Sequence, residues 1–181
     1  VVEMELSLPD DFTLEYQPGD SIGMLVPNSH KDIEFVLDLL AKNCAISKEQ
    51  LISVSDAVEP ITVEKAMQEN VDLSSPLKSK RILFFLSQLA TQGSEEQKAL
   101  RLLASKTPKG ELLFKTFIED QRKSFVEILQ EFPSCAVNTT LEGILSALPA
   151  IAPRYYSISS SPLLKRTENI LSLTVTFSVV D

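Results

Sequence analysis

The chain opens on a faultless alternation of apolar and polar side chains, Val2-Glu3-Met4-Glu5-Leu6-Ser7-Leu8. A period of two predicts a strand with one buried face. Pro9-Asp10-Asp11 reads as a turn, and Phe12-Thr13-Leu14-Glu15-Tyr16 alternates again. Pro18-Gly19-Asp20 is a second turn, and Ser21 to Val26 reads as a third strand. Short strands joined by tight turns predict a barrel or a sandwich. Ser29 then caps a helix with Asp32 in its first turn. Ile33, Val36, Leu37 and Leu40 form its apolar stripe, to about Lys42. Leu51 to Ser55 reads as a short strand.

From Glu59 to Ala150 the period changes to that of helices. Helices are predicted over Thr62 to Asn70 and Ser79 to Ala90. Ser94 with Gln97 reads as a capping box for a third, through Ala104, before Pro108 and Gly110 interrupt. One long helix is predicted next, with Phe114, Phe117, Ile118, Phe125, Ile128 and Leu129 on one face and Pro133 as its stop. Thr139 with Glu142 reads as another capping box, ahead of a stripe of Leu141, Ile144, Leu145 and Leu148. These Phe and Leu stripes read as core. After Pro149 and Pro153 the alternation returns, with Leu171, Leu173, Val175, Phe177 and Val179 on one face. The expected fold class is α+β. An antiparallel β unit, barrel or sandwich, is expected over 1–58 and 151–181, interrupted by an all-helical unit over 59–150.

Charge narrows the partners. Lys and Arg number 17 against 25 Asp and Glu, a formal charge of −8. That balance argues against nucleic acid and anionic membrane. The longest apolar run, Ile82 to Leu86, is too short to cross a bilayer, and no signal peptide is visible. Cys44 and Cys135 stand far apart and in no metal-ligand spacing, which suits reduced thiols and a cytoplasmic setting. Asn138-Thr139-Thr140 is a formal glycosylation sequon that nothing else in the chain supports. His30 is the sole histidine and has no Cys or His companion for a metal. With 5 glycines, neither G-x-G-x-x-G nor a Walker A loop occurs.

Candidate chemistry concentrates in Pro153-Arg154-Tyr155-Tyr156-Ser157-Ile158-Ser159-Ser160-Ser161-Pro162. Arg154 can hold a phosphate or diphosphate with planar paired donors, or make a surface ion pair. Tyr156 can stack on a flat ring, or fill a strand core. Tyr155, its neighbour on a strand, points to the opposite side. Ser157 offers a donor and an acceptor, or a simple cap. The string suits a ligand with a charged diphosphate and a flat ring.

Arg154-x-Tyr156-Ser157, with Pro18-Gly19-Asp20 far upstream, resembles the flavin motif of the ferredoxin–NADP reductase superfamily, and of the diflavin reductases within it. Phe132-Pro133-Ser134-Cys135, Tyr16 to Asp20 and Pro27-Asn28-Ser29 look most like the methionine synthase reductase branch. The NADPH–cytochrome P450 reductase branch is also similar. The resemblance covers essentially the whole chain. It implies an FAD-binding barrel interrupted by a connecting domain, in a protein passing electrons from NADPH through FAD and FMN to an acceptor protein. That acceptor would be methionine synthase, or a haem protein; the FMN domain of the same chain would be the immediate partner. The resemblance assigns Arg154 to the pyrophosphate, Tyr156 to the isoalloxazine and Ser157 to the catalytic N5 side, with Tyr155 near the ribityl or phosphate region. Thr176, Phe177 and Ser178 would line the flavin, and Arg122 would lie near the cofactor or be a solvated helix charge. The family's second FAD motif and its FMN and NADP(H) domains are not in the chain, so it reads as truncated before the NADP domain, with weak FAD binding and no NADPH turnover expected. A non-catalytic helical docking module is the other reading.

Overall fold

The computed structural model describes residues 1–8, 14–17, 19–54, 59–161 and 171–179. The expected turn at Pro9-Asp10-Asp11, the Phe12-Thr13 half of the second strand, Pro18, Ser55 and Pro162 lie outside the described residues. In chain order the elements begin with β1 (Val2–Leu8), β2 (Ser21–Met24), α1 (His30–Cys44), β3 (Leu51–Ile52), β4 (Ile61–Thr62), α2 (Val63–Glu69), α3 (Lys80–Leu89) and α4 (Glu95–Ala104). They continue with α5 (Pro108–Leu113), a π-helical segment (Phe114–Glu119), α6 (Phe125–Glu131), α7 (Pro133–Ala136), α8 (Leu141–Ala147), β5 (Arg154–Ser157) and β6 (Leu171–Phe177). The chain divides into two compact units, Val1–Val26 with Ala152–Asp181, and Pro27–Ile151.

The first unit is antiparallel β. β1 pairs with β6 and β2 with β5. A bridge between Ile158 and Val175 carries the chain after β5 onto β6. Among the described residues the strands pair as β1 with β6 and β2 with β5, and the expected closed barrel is not seen. Leu173 and Val175 are fully buried on β6. On β1, Val2 and Met4 remain 40% and 37% exposed, so its apolar face is only partly covered. β1 has a partner on one side only among the described residues. Gly19 takes φ +99°, a left-handed conformation that favours glycine. The turn is closed by Asp20 N donating to the Gln17 carbonyl and by Gln17 N donating to the Asp20 carboxylate.

The second unit is helical around one apolar core that includes Leu40, Met67, Leu86, Phe125 and Ile144. Its boundary differs from the expected residue 59. Residues 27–54 pack here, because Ile33, Val36 and Leu40 of α1 belong to this core. Asn43 Nδ2 also donates to the carbonyls of Ala136 and Thr139. Where the chain enters, the buried Asn28 donates to the carbonyls of Met67 and Val71 and accepts from Leu73 N, at 2.6–3.0 Å. Where it leaves, Asp72 N donates to the Pro149 carbonyl and Ile151 N to the Asn70 carbonyl. Entry and exit are thus stitched to one segment, 67–73.

The expected long helix is broken. The π-helical segment stops at Glu119, Arg122 follows in a left-handed turn at φ +52°, and Ser124 caps α6 with a complete capping box to Glu127. The apolar face continues across the break, with Phe114, Ile118, Phe125 and Ile128 buried. Two lysines brace the π segment. Lys80 Nζ lies 5.1 Å from the Phe114 ring, bonds the Ser105 carbonyl at 2.8 Å and pairs with Glu111 at 2.8 Å. Lys123 lies 4.8 Å from the Phe117 ring and pairs with Glu131. Gly110 sits where a Cβ would stand 2.5 Å from the Leu102 carbonyl, so only glycine lets α5 approach the end of α4.

Two caps also shift. Thr140, not Thr139, caps α8 by accepting from Gly143 N, because Thr139 is fully buried with its hydroxyl on the Cys135 carbonyl. Ser94 caps α4, but Gln97 accepts from Gly93 N rather than closing a box.

Asn28→Ala leaves two carbonyls and an N–H unpaired in the interior. It should cost about 2–3 kcal/mol in urea unfolding, and Asn28→Asp should cost more by facing a carboxylate at two carbonyls. Cys135 is buried, and burial first, then the charge of Glu96, pushes its pKa from 9.0 up to about 12. Between those values the unfolded chain loses a thiol proton that the folded chain keeps, so stability falls as pH rises through that window. The wild-type melting temperature should therefore drop more steeply above pH 9 than that of Cys135→Ala.

Candidate functional site

Strand alternation and pairing decide which residues of the candidate string meet. In β5, Met24 faces Arg154, Gly23 faces Tyr155, Ile22 faces Tyr156 and Ser21 faces Ser157. The bridge of Ile158 to Val175, continued back along both chains, sets Tyr156 opposite Phe177. Their ring centroids lie 5.2 Å apart, tilted by 57°. Phe177 in turn faces Val2. One row, Ile22–Tyr156–Phe177–Val2, therefore crosses four strands on the apolar face.

Side chains on a strand point alternately to its two sides. Arg154, Tyr156 and Phe177 share the apolar side; Tyr155, Ser157 and Thr176 share the other. Arg154 is exposed, and among the described residues no carboxylate pairs with it. Tyr156 is half-buried. Tyr155 is 72% exposed, and its ring lies over Gly23, where a Cβ would come within 3.1 Å of Cε1. Glycine in a strand often marks such a close approach; Gly23 and Ile22 are supporting residues that no local motif marks.

The hydroxyls divide by role. Ser159 N and Oγ both donate to the Thr174 carbonyl, and Thr176 Oγ1 donates to Ser159 Oγ at 3.0 Å. Thr174 N donates to Ser160 Oγ, which also shares a 3.1 Å hydrogen bond with Tyr16 Oη. These groups fasten the end of β5 to β6. Thr176 is therefore tied into the sheet. Ser157 is exposed at the corner where the chain leaves β2 for β6, and its hydroxyl has no partner among the described residues. Ser178 is exposed just beyond β6. Arg122 belongs to the helical unit, exposed in the left-handed turn between the π segment and α6 rather than on a helix face.

A family model described as "FAD binding domain" matches residues 1–180. The chain belongs to the FAD-binding domain family. It is an FAD-binding region of the diflavin-reductase type. It is 34% identical over 164 residues to nitric oxide synthase 3 of Sus scrofa, covering 82% of this chain and 13% of that protein. It is 33% identical over 183 residues to the bifunctional cytochrome P450/NADPH–P450 reductase ALT2 of Alternaria alternata, covering 96% of this chain and 15% of that one. The chain thus spans less than a sixth of the length of these relatives.

The residues present fit FAD. An exposed guanidinium with no carboxylate paired to it among the described residues suits a diphosphate. On the same side of the strand, a half-buried phenol held by another ring suits a flat heterocycle.

Removing a hydroxyl should separate a group tied into the sheet from an exposed one. Ser159→Ala should cost about 1 kcal/mol in urea unfolding. Ser157→Ala should stay within about 0.5 kcal/mol of wild type, as expected for a surface substitution without partners.

Proposed function

We propose that this chain is the FAD-binding portion of an NADPH-dependent diflavin oxidoreductase, in which electrons pass from NADPH through FAD and FMN to an acceptor protein. The observation that carries the reading is the placement of Arg154 and Tyr156 on one side of β5, with the guanidinium open. When bound, flavin supplies a centre that takes up hydride and passes electrons on. The chain's own residues hold and orient it: Arg154 the diphosphate, Tyr156 the ring plane, and Ser157 a hydroxyl at the N5 side. Tyr155, Thr176, Phe177 and Ser178 flank them, with Arg122 an outer contact of the same reading. The strand-built unit is the FAD-binding part, and the helical unit corresponds to the connecting domain. The FMN and NADP(H) sites belong to other parts of the parent protein, whose setting is the cytoplasm.

Methionine synthase is the acceptor that Phe132-Pro133-Ser134-Cys135, Tyr16 to Asp20 and Pro27-Asn28-Ser29 favour. Several of these residues also have packing reasons to be there. Phe132 meets Phe117 edge to face at 6.3 Å, Cys135 is buried, and Asn28 holds the 67–73 segment. A cytochrome P450-type acceptor is the second reading, supported by the relative that joins a P450 to its reductase.

Titration of the full-length apoprotein with FAD tests the reading. Arg154→Ala should weaken binding by about ten- to a hundredfold, the loss of charge-assisted hydrogen bonds. Tyr156→Ala should relieve the quenching of flavin fluorescence. Wild-type affinity and quenching in both variants would refute the assignment and favour a docking role for the helical unit.

A further inference from the structure

We infer that Phe177 is a positioning residue: it fixes the tilt of Tyr156 and acts on bound FAD through that ring. The inference rests on the reading of Tyr156 as the residue that sets the flavin plane.

Three observations carry it. Phe177 and Tyr156 are facing cross-strand residues, by the register that runs from the bridge of Ile158 to Val175. Their rings meet at 5.2 Å and 57°, within the range in which tilted aromatic pairs attract. The register that brings them together is locked on the opposite side of the sheet. There Ser159 donates twice to the Thr174 carbonyl, and Thr176 donates to Ser159.

The geometry also says why an aromatic ring is needed. The Tyr156 side chain has a free torsion about its Cα–Cβ bond and another at the ring. Ile22 faces it on β2, and Phe177 faces it on β6. An aliphatic residue at 177 could fill volume but could not hold the ring at one angle through a quadrupolar contact. A ring that swings presents its face to a stacking partner only part of the time. Apparent affinity then falls in proportion to the competent fraction.

The test uses the full-length protein, with Phe177→Leu, Phe177→Tyr and Tyr156→Ala compared by FAD titration, visible circular dichroism of the bound flavin, and thermal melting of the apoprotein. The expected result is a loss of about two- to tenfold in FAD affinity for Phe177→Leu, the worth of one aromatic pair. An altered flavin dichroism should accompany it, and Phe177→Tyr should restore both. If Tyr156→Ala lowers affinity while Phe177→Leu keeps wild-type affinity and dichroism, the positioning role is overturned and the flavin assignment stands. If both Phe177 variants lose affinity only in step with a fall in melting temperature, Phe177 is packing alone and the role is again overturned. If Tyr156→Ala binds FAD as wild type does, the flavin assignment itself fails and takes the inference with it.

Discussion

Everything at the candidate site depends on one strand pairing with two partners in succession. β5 takes its register from β2, residue against residue from Met24–Arg154 to Ser21–Ser157. One residue later the chain is bonded to β6. That change of partner fixes what each side chain of the Arg-Tyr-Tyr-Ser string can reach. A slip of one residue would turn every side chain over. Arg154 and Tyr156 would then face the hydroxyl side, and Tyr155 and Ser157 the apolar one. The hydroxyl ladder among Ser159, Ser160, Thr174 and Thr176 stands against such a slip. It is made of short polar side chains whose bonds reach specific backbone groups of β6, and those bonds are lost in any other register.

Much of the β unit was legible because alternation is a local signal. β1 and β6 follow their patterns closely, and the Arg-Tyr-Tyr-Ser string falls on a strand as read. The division of that string between two environments was legible only for adjacent residues. That Phe177 comes to Tyr156, and that Thr176 is occupied by Ser159, follows from pairing across more than a dozen intervening residues, which no local pattern encodes. The hydroxyl run suggested ligand binding because sequence gives the donors but not the acceptors already waiting on β6.

The helical unit shows the opposite balance. Its apolar stripes mark the buried faces, yet the same stripe predicts one unbroken helix from Phe114 to Leu129 where the structure has two. The stripe stays in phase through the π turn, so periodicity could not reveal the break. The signal that could have done so was Ser124 with Glu127, a capping box inside the stretch. For α1 the stripe at Ile33, Val36 and Leu40 predicts burial without naming what buries it. Chain order put it with the neighbouring strands, and packing puts it with the helices.

The stitching of residues 28 and 149–151 to a common segment has a consequence for how the β unit can form at all. β2 and β5 are hairpin partners, with Met24 against Arg154, and the whole of Pro27–Ile151 is their connection. Were that connection a slack coil, joining its ends would cost roughly 3 kcal/mol more than closing a four-residue loop, from the logarithmic growth of closure entropy with length. A folded helical unit that holds its own entry and exit against residues 67–73 has already met that cost within its own core. To the two strands, a connection of more than a hundred residues then behaves as a short, stiff turn. On this account the helical unit would fold first, and the β2–β5 pairing would close late and fast.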